Sequence, residues 1–144
     1  MKNKIIVVGD LHLRDKKPYF NQTIHILESI FDNEEYNNPD NILLLLGDLI
    51  EKINASYEIV QVYIDLFLNK SKFKVIKILK GNHDSALLKD SNNDITQSTV
   101  LSVFTPFKNV EVIDSWGKET IENIKVLYLP HYDHEGTDKE PLET

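Results

Sequence analysis

The sequence predicts an α/β fold: a mostly parallel sheet flanked by helices and ending in a hairpin. Three observations predict it. Ile5–Val8, residues 42–46 and Val75–Leu79 are short apolar runs without alternation, the pattern of strands covered on both faces. Segments with helical spacing separate them, giving the strand–helix–strand–helix–strand order of a parallel sheet with right-handed crossovers. Each run is followed by a glycine and then by residues of metal-ligand type: Gly9-Asp10-Leu11-His12, Gly47-Asp48 and Gly81-Asn82-His83-Asp84.

The first strand, Ile5–Val8, leaves through Gly9 into a loop over residues 10–14. If that loop stays extended, Asp10 and His12 are two apart and point the same way. Residues 21–31 carry Ile24, Leu27, Ile30 and Phe31 at helical spacing, with Asn21 or Thr23 as the cap. His25 falls within this helix and reads as a surface residue. Residues 33–41 are polar with Pro39, a loop. The run over 42–46 has five apolar residues without a break, which predicts a central strand. Ser56 is a good cap for a second helix, whose stripe is Ile59, Val60, Tyr63, Leu66 and Phe67. Tyr57 and Tyr63 flank that stripe and read as packing. Val75–Leu79 is the third strand. Residues 87–94 read as a polar loop. Residues 96–104 read as a short helix capped by Thr96, and Val110–Ile113 as a fourth strand. Segments 119–121 and 124–129 flank Glu122-Asn123, a hairpin turn. Trp116, Phe104 and Phe107 read as core rather than as base-stacking residues.

A chain of 144 residues is the size of one ordinary domain. Its 41% hydrophobic and 27% charged residues are those of a soluble globular protein. No apolar stretch approaches the roughly 20 residues that span a bilayer, and no signal peptide is recognisable. The expected location is cytoplasmic, with no membrane partner. Cysteine is absent, so a metal here must use oxygen and nitrogen ligands, which favours Mn, Mg, Fe or Zn. Sixteen basic against 23 acidic residues give a net charge of −7. That excludes a basic nucleic-acid footprint and argues against tight unaided binding to a phosphate backbone. It leaves room for a nuclease whose metals, or a partner subunit, supply positive charge.

In open parallel sheets, ligands sit outside the carboxyl ends of the strands. Asp10, His12, Asp48, Asn82, His83 and Asp84 all follow strand ends of one polarity and should meet there. Close carboxylates repel by on the order of a few kcal/mol per pair. A divalent cation, or a pair of them, answers that repulsion most economically. Asp48, from the central strand, could bridge two metals roughly 4 Å apart. Asp10 and His12 would hold the first, and Asn82, a neutral oxygen donor, the second. His83 is then free to face the substrate as hydrogen-bond donor or general acid. Asp84 is placed to orient that imidazole.

Gly9-Asp10-Leu11-His12-Leu13, Gly47-Asp48-Leu49-Ile50-Glu51 and Gly81-Asn82-His83-Asp84 resemble, in order and spacing, the first three motifs of the calcineurin-like metallophosphoesterases. The resemblance implies a layered metallophosphoesterase-type fold and two divalent metal ions, with Mn the expected metal. The extended Asp-Leu-His-Leu form resembles the DNA-repair nuclease branch, and within it the small subunit of phage recombination endonucleases. That implies DNA as substrate and a coiled-coil ATPase as partner, with a homodimer as a further option. Family members carry two more motifs, a histidine after a strand and a Gly-His-x-His, and neither is clearly present. His131 follows a strand. In the nuclease branch, however, a Pro-aromatic pair commonly holds the place of Pro130-His131, so neither His131 nor His134 is assigned as a ligand. The expectation is therefore the N-terminal part of a metallophosphoesterase domain over residues 1–144, with little activity by itself. Two other readings stand beside a DNA phosphodiesterase: a phosphomonoesterase or small-nucleotide phosphodiesterase of the same superfamily, and a non-catalytic scaffold.

Overall fold

Four parallel strands form the centre of the protein, β1 (Ile5–Val8), β2 (Ile42–Leu45), β3 (Val75–Leu79) and β6 (Val110–Ile113), in the spatial order β1-β2-β3-β6. This is a computed structural model, and it describes residues 3–51, 55–89 and 95–131. The order steps in one direction across β1, β2 and β3. The intervening helices, α1 (Tyr19–Phe31) and α2 (Tyr57–Asp65), fall on one face. Side chains that alternate along a strand are sorted by this arrangement. Leu43, Leu45, Ile76 and Ile78 pack with Leu27, Phe31, Ile59, Tyr63 and Phe67 on the helical side. Ile42, Leu44 and Ile113 face the other way, onto Ile121 and Tyr128 of a hairpin made by β7 (Gly117–Ile121) and β8 (Ile124–Tyr128). The sheet is thus covered on both faces, and β2 is buried along its whole length. This is the α/β architecture that the unalternated runs predict.

Local chemistry explains most element boundaries. Ser56 caps α2 by accepting from the Ile59 amide, and α2 runs on into a π-helical turn, Leu66–Lys70. At the β7–β8 turn Glu122 and Asn123 have φ of 48° and 70°. Two left-handed residues in a two-residue turn match the right-handed twist of the flanking strands. Phe104 is buried and lies 5.9 Å from Phe107 and 5.1 Å from Phe67, so this aromatic group is core. Trp116 is half-buried, and His25 is exposed on α1. Among the described residues no helix is long and apolar enough to cross a membrane.

Three expectations are corrected. First, α1 begins at Tyr19, after Pro18, and has no side-chain cap, so neither Asn21 nor Thr23 starts it. Second, residues 87–94 are not simply a loop. β4 (Ser85–Lys89) pairs antiparallel with β5 (Ile95–Thr99), while residues 90–94 lie outside the described ones. Third, the expected helix over 96–104 is half strand. β-branched Ile95, Thr96 and Thr99 suit a strand better than a helix. Only Val100–Phe104 coils, as a 3₁₀ turn whose cap is Thr99, accepting from the Leu101 amide.

Candidate metal centre

The register places Val8, Leu45 and Ile78 side by side, so the loops that follow β1, β2 and β3 leave the sheet together. They do not stay extended. Asp10, His12 and Asp48 have φ of 53°, 44° and 49°. Each such non-glycine residue costs on the order of 1–3 kcal/mol and persists only where its surroundings over-determine it. Here a second set of backbone bonds does so. The His12 amide donates to the Asp48 carbonyl at 2.8 Å, the Leu13 amide to Leu49 at 3.0 Å, and the Glu51 amide to Leu13 at 3.0 Å. Leu13 and Ile50 form a parallel bridge. The β1–β2 ladder therefore opens after Val8 and Leu45 and closes again beyond Asp10, His12 and Asp48.

Two glycines permit the close approach of the second and third loops. A Cβ on Gly81 would lie 2.2 Å from Asp48 Oδ1 and 2.4 Å from the Asp48 nitrogen. Gly47, at φ +90°, would push a Cβ to 2.7 Å from the Gly81 nitrogen. No side chain fits at either place, which accounts for the glycine in each motif.

The donors converge. His12 Nε2 stands 3.8 Å from Asp10 Oδ1 and 3.8 Å from Asp48 Oδ2. Asp10, His12 and Asp48 offer donor atoms that all lie within 4.8 Å of one another. Asn82 joins them: one end of its carboxamide lies 3.2 and 3.1 Å from the two Asp48 oxygens. With the nitrogen there, the amide donates to Asp48. With the oxygen there, three oxygens converge and only a cation reconciles them. Carboxylate, imidazole and carboxamide donors at this spacing fit a hard or borderline divalent ion.

His83 is placed by its neighbours. Its amide donates to Asp48 Oδ1 at 3.0 Å, and its Nδ1 lies 2.6 Å from the Glu51 carbonyl. A carbonyl only accepts, so Nδ1 carries the proton and Nε2 is the ring's remaining polar atom. The His83 and His12 rings meet edge to face with centroids 4.8 Å apart.

Asp84 does something other than orient His83. It is fully buried, and its carboxylate accepts from three amides: Asp48 at 2.8 Å, Gly81 at 2.9 Å and Leu49 at 3.1 Å. Burial pushes its carboxyl up, while the three amides pull the other way and do not fully offset that. Asp84 clamps the second loop to the third. The contact to His83 comes from Glu51 instead, a residue that the motif reading quoted without a role. Glu51 also brings Oε2 to 3.1 Å from His12 Nδ1, without the alignment of a hydrogen bond. Its place three residues after Asp48 was visible in the sequence, but the turn that folds it back was not.

His131 reaches the rim through its main chain, its amide donating to the Lys80 carbonyl at 3.0 Å. Among the described residues its ring belongs to neither group of converging donors, Asp10, His12 and Asp48 or His12, Glu51 and His83. His134 lies outside the described residues.

A sequence model of the calcineurin-like phosphoesterases matches residues 3–142. No curated protein matches the chain significantly. Among solved structures, a protein of unknown function from Aquifex aeolicus is similar, with a TM-score of 0.52 at 13% identity. The match covers 97% of this chain and 67% of that one, and at that identity it carries the fold alone.

Proposed function

The chain belongs to the calcineurin-like phosphoesterase family, and on that premise we propose that it is a divalent-metal phosphodiesterase acting on DNA, with Mn as the metal. The family establishes phosphoester hydrolysis with divalent metals; the substrate, the metal's identity and the residue roles are the proposal. One observation supports it most: Asp10, His12 and Asp48, from two separate loops, bring donor atoms within 4.8 Å of one another.

In this reading Asp10 and His12 would hold one metal and Asn82 a second, with Asp48 able to contribute to both. Bound there, divalent ions would supply an activated water and neutralise charge developing on the phosphoryl oxygens. The protein's own groups do the rest. Asp84 keeps Asp48 and Asn82 together by clamping their loops. The Glu51 carbonyl fixes the His83 tautomer, so Nε2 is the atom that meets the substrate. Once protonated, Nε2 donates to the leaving oxygen as the ester bond breaks. The Asp-Leu-His-Leu form of the first motif favours DNA and a coiled-coil ATPase partner that carries positive charge. A net charge of −7 favours the second reading, a phosphomonoesterase or small-nucleotide phosphodiesterase.

Turnover of single-stranded DNA and of p-nitrophenyl phosphate, compared with Mn, separates the two. Strong monoester turnover without DNA cleavage would refute the DNA assignment. His83→Ala should keep Mn and DNA binding and lose most turnover, whereas Asp48→Ala should lose the metal too. Equal loss of Mn in calorimetry would overturn the division of labour.

A further inference from the structure

His12 has two ring nitrogens with different surroundings. Nε2 stands 3.8 Å from Asp10 Oδ1 and 3.8 Å from Asp48 Oδ2. Nδ1 meets Glu51 Oε2 at 3.1 Å. That Nδ1 is buried and has no aligned hydrogen-bond partner among the described residues. Solvent does not reach it, so a neighbouring side chain must satisfy it.

Glu51 approaches Nδ1 from a fixed backbone. Its amide donates to the carbonyl of Leu13, next in the chain to His12, at 3.0 Å. Its carbonyl accepts from His83 Nδ1 at 2.6 Å. The side chain also lines an open cleft of about 390 Å³, together with Arg14 and Lys16. Space and cations are thus at hand on that side. Oε2 nevertheless lies against an imidazole whose other nitrogen faces two more carboxylates. Carboxylates gathered so closely repel each other, and a proton on Nδ1 is what makes the place favourable for Glu51.

We propose that Glu51 is the positioning residue of the metal centre: its carboxylate accepts the Nδ1 proton of His12 and so fixes Nε2 as the metal-binding nitrogen. This rests on the reading of His12 as a ligand and deepens it. An imidazole that binds a metal through Nε2 carries its proton on Nδ1. A carboxylate at that proton holds the ring's orientation and makes it a better ligand. The side chain of Glu51 is 31% exposed, so it can turn the short way needed to bring the 3.1 Å contact into line. Glu51 then sets both imidazoles of the site, His12 through its side chain and His83 through its main chain. Substitution removes only the first contact, because every residue keeps its carbonyl.

Calorimetry with Mn on the unaltered protein, on Glu51→Ala and on Glu51→Gln tests this. Glu51→Ala should bind Mn roughly tenfold or more weakly. Gln keeps the shape and an acceptor oxygen for the same proton, so Glu51→Gln should recover part of the loss. That recovery separates an acceptor at Nδ1 from a charge that merely attracts cations. Gln also tests the same contact if Ala unsettles the loop. Undiminished Mn binding by Glu51→Ala would overturn the assignment, and so would equal weakening by Ala and Gln. Failure of the unaltered protein to bind Mn is a different result: it would refute the metal centre itself, and this assignment with it.

Discussion

Asp84→Asn distinguishes a loop clamp from a catalytic carboxylate. The substitution keeps the shape and removes the charge. An asparagine has one acceptor oxygen, which can stay on the Asp48 and Gly81 amides. Its NH₂ then faces the Leu49 amide, donor against donor, in a fully buried place. The unsatisfied Leu49 amide costs about 1–3 kcal/mol, and each of the other two bonds loses about 1 kcal/mol on going from a charged to a neutral acceptor. Removing a buried charge offsets part of this, which leaves a loss of about 3 kcal/mol. For a domain of this size that lowers Tm by roughly 10 °C. The assay is thermal unfolding followed by circular dichroism without metal, with turnover measured well below the transition. A Tm within about 3 °C of the unaltered protein, combined with collapsed turnover, would refute the clamp. Asp84 would then be acting on the reaction and not on the loops.

Two further outcomes follow from the same structure. Gly81→Ala should weaken Mn binding by roughly tenfold or more, read by calorimetry, because its Cβ would displace the Asp48 carboxylate from 2.2 Å. The hairpin carries an acid dependence of its own. Lys77, buried under it, bonds Glu111 at 2.6 Å and Glu119 at 2.8 Å. Burial pulls the Lys77 ammonium down, but the two carboxylates outweigh that and raise it. Burial likewise pushes Glu119 up, and its bonds from Lys77 and Tyr128 outweigh that and lower it. A carboxyl lowered in the folded state contributes stability that is present above the ordinary glutamate value, about 4.3, and is lost as pH falls through the folded value. Lys77→Met should therefore lower Tm near neutral pH and flatten its fall in acid, in melts from about pH 6 to about pH 3.

How much of this was legible depended on the range of the forces involved. Ile5–Val8, Val75–Leu79 and Val110–Ile113 could be read to the residue, because each is a short segment dominated by Val and Ile, interrupted at most by one charged residue, Lys77 or Glu111. The hairpin turn at Glu122-Asn123 was equally local. The β4–β5 pair was misread because the sequence there alternates weakly and contains no long apolar run, and its two strands form a small sheet of their own, apart from the parallel one. At the site, Asp10, His12, Asp48 and Asn82 could be nominated from position alone, since strand ends of one polarity must share an edge. The task of Asp84 could not. It depends on three amides from two loops, and nothing in Asn-His-Asp shows where those amides point. Glu51 stayed hidden for a related reason: its main-chain carbonyl makes the contact to His83, and any residue has a carbonyl.

The reclosing ladder has a consequence for how such a sequence can change. Val8 pairs with Leu45, and Leu13 pairs with Ile50, five residues further along both chains. The two arcs between these pairs are equal in length. Adding or deleting one residue in either arc would bring the wrong residue opposite Leu13 or Ile50 and turn every later side chain to the opposite face. Surface loops usually tolerate insertions, but these two are matched to each other. Length variation in the first motif would have to be mirrored in the second, so the pair should drift in sequence far more readily than in spacing.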